Sequence, residues 1–131
     1  MIGLDTNVLI RHLTQDEPGQ AARASALIEK SCSIEEPGYV NRVVMCEIVW
    51  VLERAYRYER ALIASCIETL LRTADLRVEN EKAVWTALAR YQEGFDFADA
   101  LIAETNAMAG VGATATFDKK ACALKGFVGV D

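Results

Sequence analysis

Short apolar runs recur along this 131-residue chain, and each is cut off by polar residues from which a helical pattern starts. Ile2-Gly3-Leu4 stops at Asp5-Thr6-Asn7, Tyr39-Val40 follows the turn Pro37-Gly38, and Leu76-Arg77-Val78 precedes Asn80. Val111 to Phe117 is small and β-compatible, and Phe127-Val128-Gly129-Val130 reads as a last strand. Between these runs the apolar residues keep a helical period. Predicted helices cover Val8 to Leu13, a second started by Pro18 and running through Gln20 to Lys30, and then Arg42 to Tyr58, Ala61 to Thr73, Asn80 to Tyr91 and Asp96 to Ala109. A further helix is expected around Lys119 to Leu124. In the Ala61 helix Leu62, Ile63, Cys66, Ile67, Leu70 and Leu71 share one face, with Glu68 and Arg72 at i,i+4 on the other. Strands alternating with helices predict an α/β domain with a mainly parallel sheet. Ligands of such sheets sit at the carboxyl ends of the strands, so the residues just after each strand matter most.

A chain of this length makes one domain, residues 1–131, and its 52% hydrophobic residues are enough for a core without disulfide or metal staples. Lys and Arg total 14 against 19 Asp and Glu, a formal charge of −5. That balance excludes a protein that holds nucleic acid through a broad basic face, but not an enzyme whose charge is concentrated in a site. Cys32, Cys46, Cys66 and Cys122 form no C-x-x-C and have only His12 as an imidazole companion, so zinc lacks its usual ligand spacing. Buried free thiols in a reducing cytosol are expected instead. Met1 to Ile10 lacks the pattern of a signal peptide, and the apolar runs are too short to span a bilayer. A cytoplasmic chain with no membrane partner is the expectation.

Nineteen acids make coincidences easy, so the useful question is which of them sit where a solvated charge is unexpected. Glu47 lies inside Val43-Val44-Met45-Cys46-Glu47-Ile48-Val49-Trp50-Val51-Leu52, with no other polar residue in the run. Its burial is therefore expected, and a buried carboxylate must be paired, protonated or bound to a metal. Asp5 and Asp118 each directly follow a candidate strand, and Asp99 lies within Phe97-Ala98-Asp99-Ala100-Leu101-Ile102-Ala103, one turn after Asp96. Asp5, Asp96 and Asp118 also have a structural explanation as helix caps. Together the acids form an oxygen-only donor set with no useful histidine, which suits Mg²⁺ or Mn²⁺ and phosphodiester chemistry.

At these residues the chain resembles the PIN-domain ribonucleases, in particular the VapC toxins of type II toxin–antitoxin systems. The matching stretches are Ile2-Gly3-Leu4-Asp5-Thr6-Asn7-Val8-Leu9-Ile10-Arg11, Glu47 in its apolar helix, Asp96-Phe97-Ala98-Asp99-Ala100-Leu101-Ile102-Ala103, and Thr116-Phe117-Asp118. The resemblance covers nearly the whole chain and implies a three-layer α/β/α sandwich with a parallel five-stranded sheet. It implies an Mg²⁺- or Mn²⁺-dependent endoribonuclease in which Asp5, Glu47, Asp99 and Asp118 bind metal. Asp96 would support them, while Asn7 and Thr116 would position water or a ligand. It further implies a cognate antitoxin, a homodimer, and structured RNA such as tRNA as substrate.

Arg11, Arg42, Lys119 and Lys120 lie near these acids in sequence and are candidate contacts to the RNA backbone, or else solvated charges. A receiver-type phosphorylation domain would place a pair of acids after the first strand, where Asp5 is followed by Thr6 and Asn7. A haloacid-dehalogenase-like phosphatase needs D-x-D, and no glycine-rich phosphate loop is present. A housekeeping PIN-domain nuclease and a non-catalytic PIN-like binding module remain the alternatives.

Overall fold

The computed structural model describes residues 1–130. Its first compact unit runs from Met1 to Glu81 and its second begins at Lys82. The first contains β1 (Ile2–Gly3), α1 (Thr6–Thr14), α2 (Pro18–Ser31), β2 (Gly38–Val40), α3 (Arg42–Arg54), α4 (Arg60–Arg72) and β3 (Leu76–Val78). The second contains nearly all of α5 (Glu81–Gln92), then α6 (Phe97–Met108), β4 (Thr114–Thr116), a 3-10 turn at Ala121–Ala123 and β5 (Phe127–Gly129). None of the described helices is long and apolar enough to cross a membrane.

All pairings are parallel, as the alternation of elements predicts. In the first unit β2 is central: Ile2 is opposite Gly38, and Gly38 to Val40 run opposite Leu76 to Val78. In the second, Thr114 to Thr116 run opposite Phe127 to Gly129. The expected single five-stranded sheet is therefore corrected to a three-stranded and a two-stranded one. The strands are only two or three residues long, so each offers few backbone groups from which a wider ladder could be built.

Helix starts follow side-chain chemistry. Asp5, Glu17, Asn41 and Asp96 hold extended backbone and accept from N–H groups in the first turns of α1, α2, α3 and α6. α1 thus begins at Thr6, two residues before the expected start. α3 ends at Arg54 rather than continuing to Tyr58. Arg57 takes a left-handed φ of 54°, which an α-helix cannot accommodate. The Tyr56 hydroxyl is at the same time held by Asp16 and Arg11. The expected helix after Lys119 shrinks to the 3-10 turn, because Gly126 (φ 101°) and β5 follow too soon for a second turn.

The core of the first unit is built from Leu9, Ile10, Met45, Ile48, Leu52, Ile63, Ile67 and Leu70, all buried. The α4 stripe is confirmed on its Ile63, Ile67, Leu70, Leu71 side, whereas Leu62 is 48% exposed and Cys66 half-buried. In the second unit Tyr91 and Phe97 are buried and meet edge to face, 6.1 Å between ring centres. Of the thiols only Cys32 is buried; Cys46 and Cys66 are half-buried and Cys122 is exposed. Those helices carry wider apolar stripes than their packing covers.

The α1–α2 corner is fastened by one polar network. Arg11 donates through Nε to Gln20 (2.7 Å) and through Nη1 to both Asp16 oxygens and to the Tyr56 hydroxyl (2.9 Å). Asp16 also accepts from Thr14 and Tyr56, at 2.7 and 2.8 Å. The Thr14 and Tyr56 hydroxyls, with the Arg11 charge, draw the Asp16 carboxyl down to a pKa of about 2 from an ordinary 3.8.

Two outcomes follow. A methyl at Gly38 would stand 2.7 Å from Cys32 Sγ, 2.8 Å from Leu4 Cδ1 and 3.2 Å from Leu76 Cδ2. Gly38→Ala should therefore destabilise the protein by about 1–3 kcal/mol in a urea titration, as overpacking does. Asp16 has a lowered folded pKa, so its stabilisation is full above pH 3.8 and is lost as pH falls through about 2. Thermal melts should place Asp16→Asn below wild type at neutral pH, with the gap closing across that window.

Candidate active site

Asp5 leaves β1 as the cap of α1, and its Oδ1 accepts from the Thr6 N–H at 2.8 Å. Thr6, the next residue, is buried at 6% exposure and donates its hydroxyl to Glu47 Oε1 at 2.8 Å. Thr6 thus joins the strand-end acid to the acid on α3, across 41 residues of sequence. In the sequence Thr6 stands out only as one of the polar residues, Asp5-Thr6-Asn7, that end the first strand. The signal was a hydroxyl directly after the first acid, on the side of α1 that turns inward.

Glu47 itself is exposed, which corrects the expectation of burial. An apolar run is not a buried run: Val43 is 68% and Trp50 58% exposed on the same side of α3, while Val44, Met45, Ile48 and Leu52 make the core. The helix is apolar all round, and only one side of it is covered. The start of α3 is braced by Glu79, which accepts from the Arg42 N–H at 2.9 Å and pairs with the Arg42 guanidinium at 3.3 Å. The bond from that backbone N–H is the main reason the Glu79 carboxyl titrates below its usual range. Glu79 is a second positioning residue that the sequence did not single out.

The second unit gathers Asp96, Asp99 and Asp118. Asp96 caps α6 by accepting from the Asp99 N–H at 2.9 Å, so its structural explanation holds. Asp118 follows β4 in a tight turn: its N–H donates to Thr116 Oγ1 at 3.0 Å, and its Oδ1 accepts from the N–H groups of Lys120 and Ala121. Thr116 therefore shapes the Asp118 turn within the protein. Asn106 on α6 donates to Thr114 at 2.9 Å, tying the helix that carries Asp99 to the strand that leads to Asp118.

Asp99 is half-buried, and its carboxyl is pushed above the usual range first by that burial, then by the charges of Asp96 and Asp118. Like charges held this close disfavour ionisation, and a divalent cation is the natural relief. A donor set made only of carboxylate oxygens fits a hard ion such as Mg²⁺ or Mn²⁺ in kind. Among the described residues, no three His, Cys, Asp or Glu side chains already stand together as a finished metal site.

The cations divide into two classes. Arg11 and Arg42 are engaged within the fold, as described above. The exposed Lys119 and Lys120 side chains make no hydrogen bond or ion pair among the described residues. Asn7 is exposed and lines a groove of about 460 Å³ with Val8, Arg11, Gln20, Arg23 and Leu27. His12 is half-buried, its Nδ1 2.9 Å from the Ser25 hydroxyl.

No curated protein matches the chain. The family model for the PIN domain, a nuclease fold whose members typically use divalent metals, matches residues 2–126. Strand-end acids, an acid on the third helix, an acid pair opening α6 and near-complete coverage agree: this chain belongs to the PIN-domain family.

Proposed function

We propose that the protein is an Mg²⁺- or Mn²⁺-dependent endoribonuclease whose metal is held by Asp5, Glu47, Asp99 and Asp118. The observation that carries this reading is the half-buried Asp99 at the start of α6, its carboxyl pushed up first by burial and then by the charges of Asp96 and Asp118. Carboxylates brought together without an internal cation are costly to a fold, and a divalent ion offsets that cost. When bound, the ion would supply a water of lowered pKa and neutralise charge on the phosphate and on the leaving oxygen.

The protein's own groups do the positioning. Thr6 orients Glu47 through Oε1 and leaves the second carboxylate oxygen as an acceptor. Asp96 fixes the first turn of α6 and with it the backbone of Asp99. Thr116 and the following N–H groups hold Asp118 in its turn. Asn7 would hydrogen-bond substrate or water from its exposed place on α1. Lys119 and Lys120 would contact phosphates beside the scissile one, with Arg11 and Arg42 acting chiefly through the helices they fasten.

Charge agrees with this division. With those four acids set aside from the 19, 14 basic residues face 15 acidic ones. One or two divalent ions in the site would bring the formal charge from −5 to −3 or −1 and so ease the approach of RNA.

A toxin role with a cognate antitoxin, in the cytoplasm and against structured RNA such as tRNA, belongs to the same proposal. So does a homodimer, for which Val43, Trp50 and Leu62 offer exposed apolar surface on α3 and α4. Finding a small antitoxin-like reading frame directly upstream would favour the toxin role over a housekeeping one.

Asp5→Asn, Glu47→Gln and Asp99→Asn should each lower RNA cleavage by about a hundredfold or more while circular dichroism stays native. EDTA should abolish cleavage, and added Mn²⁺ or Mg²⁺ should restore it. Cleavage indifferent both to chelation and to these substitutions would sink the mechanism.

A further inference from the structure

Phe117 is 82% exposed, the most exposed large apolar side chain among the described residues. Nothing in the fold is gained by leaving a phenyl ring in water, and the ring does not drift on a loose loop. On its N-terminal side Thr116 belongs to β4, its carbonyl accepting from Val130 N–H at 2.9 Å. On its C-terminal side the Asp118 turn is closed by bonds to Thr116 Oγ1, Lys120 N–H and Ala121 N–H, and the Cys122 thiol donates to the Asp118 carbonyl at 3.4 Å. The backbone thus fixes where the ring emerges. Its sequence neighbours are Asp118 on one side of the turn and the unpaired cations Lys119 and Lys120 just beyond.

We propose that Phe117 is a stacking platform for an unpaired base of single-stranded RNA, holding the nucleotide next to the phosphodiester that is hydrolysed. This rests on the nuclease reading and adds to it the residue that grips the substrate. The local chemistry selects the occupant. An exposed aromatic ring followed closely in the chain by two exposed lysines, unpaired among the described residues, offers what single-stranded nucleic acid uses, a ring for the base and cations for the backbone. Asp118, the next residue in the chain, is one of the acids proposed to hold the metal, and its turn is closed by the same hydrogen bonds that fix the ring's place. Stacking accepts any base, because every base has a π-face. Phe117 accordingly sets affinity and placement, with little choice among sequences.

The test uses the full chain carrying Asp99→Asn, so that the RNA stays intact, and fluorescently labelled single-stranded oligoadenylate and oligouridylate as probes. Phe117→Ala should weaken binding of both by about tenfold. Phe117→Trp should restore it, whereas Phe117→Leu, apolar but without a π-face, should not. Placing one abasic nucleotide at each position in turn should cost wild-type Phe117 affinity at one position and leave Phe117→Ala indifferent there. Ile34→Ala removes a comparably exposed side chain, 69% exposed, and should leave RNA affinity unchanged. If metal-dependent cleavage is present but Phe117→Ala binds as tightly as Phe117, or Leu serves as well as Trp, the stacking role is overturned and the nuclease reading stands. If the unmodified protein neither binds nor cuts RNA, both fall.

Discussion

Side chains at strand ends accept hydrogen bonds from the N–H groups that begin the next element, and the rest of the architecture depends on this. A strand of two or three residues cannot hold its place by its own ladder. Asp5 after β1, Asn41 after β2 and Asp118 after β4 stop extended backbone and start turning backbone within a single residue. Two of these three are carboxylates. The positions that the fold needs for caps are thus also the positions at which a parallel sheet presents groups to a ligand. Capping and chemistry do not compete, since a carboxylate has two oxygens and about four acceptor sites.

Support for the acids comes from residues that carry no charge, or whose charge is already satisfied. Buried Thr6 holds Glu47, Asn106 ties α6 to β4, and the Arg42–Glu79 pair braces the start of α3. Against this support stand the burial that lifts Asp99 and, after it, the repulsion from Asp96 and Asp118. A protein selected for stability alone would dilute those charges; retaining them is expected where an ion or a phosphate completes the arrangement.

Much of the fold was legible from periodicity and punctuation. The helices and strands lie where apolar spacing and the capping residues put them, because local hydrogen bonding and burial of one face act over a few residues. The ends were less legible. Tyr56, pulled to Asp16 and Arg11, and Arg57 at positive φ stop α3 early, and neither signal exists without the α1–α2 corner. Glu47 is the sharper lesson. Its apolar neighbours implied burial, yet Val43 and Trp50 are exposed beside it. An all-apolar helix does not say which of its sides the rest of the chain will cover.

The acids and their order were fixed by the sequence itself: Asp5, Glu47, Asp96, Asp99 and Asp118, two of them directly after strands, with oxygen donors and no imidazole set. That much follows from residue type and local spacing. Tertiary structure alone decided that Thr6 would join Asp5 to Glu47, that Arg11 and Arg42 would be drawn into the fold while Lys119 and Lys120 stayed free among the described residues, and that the strands would pair as three and two. Those outcomes depend on contacts between residues far apart in the chain, whose free energies appear only once burial has chosen which side chains meet.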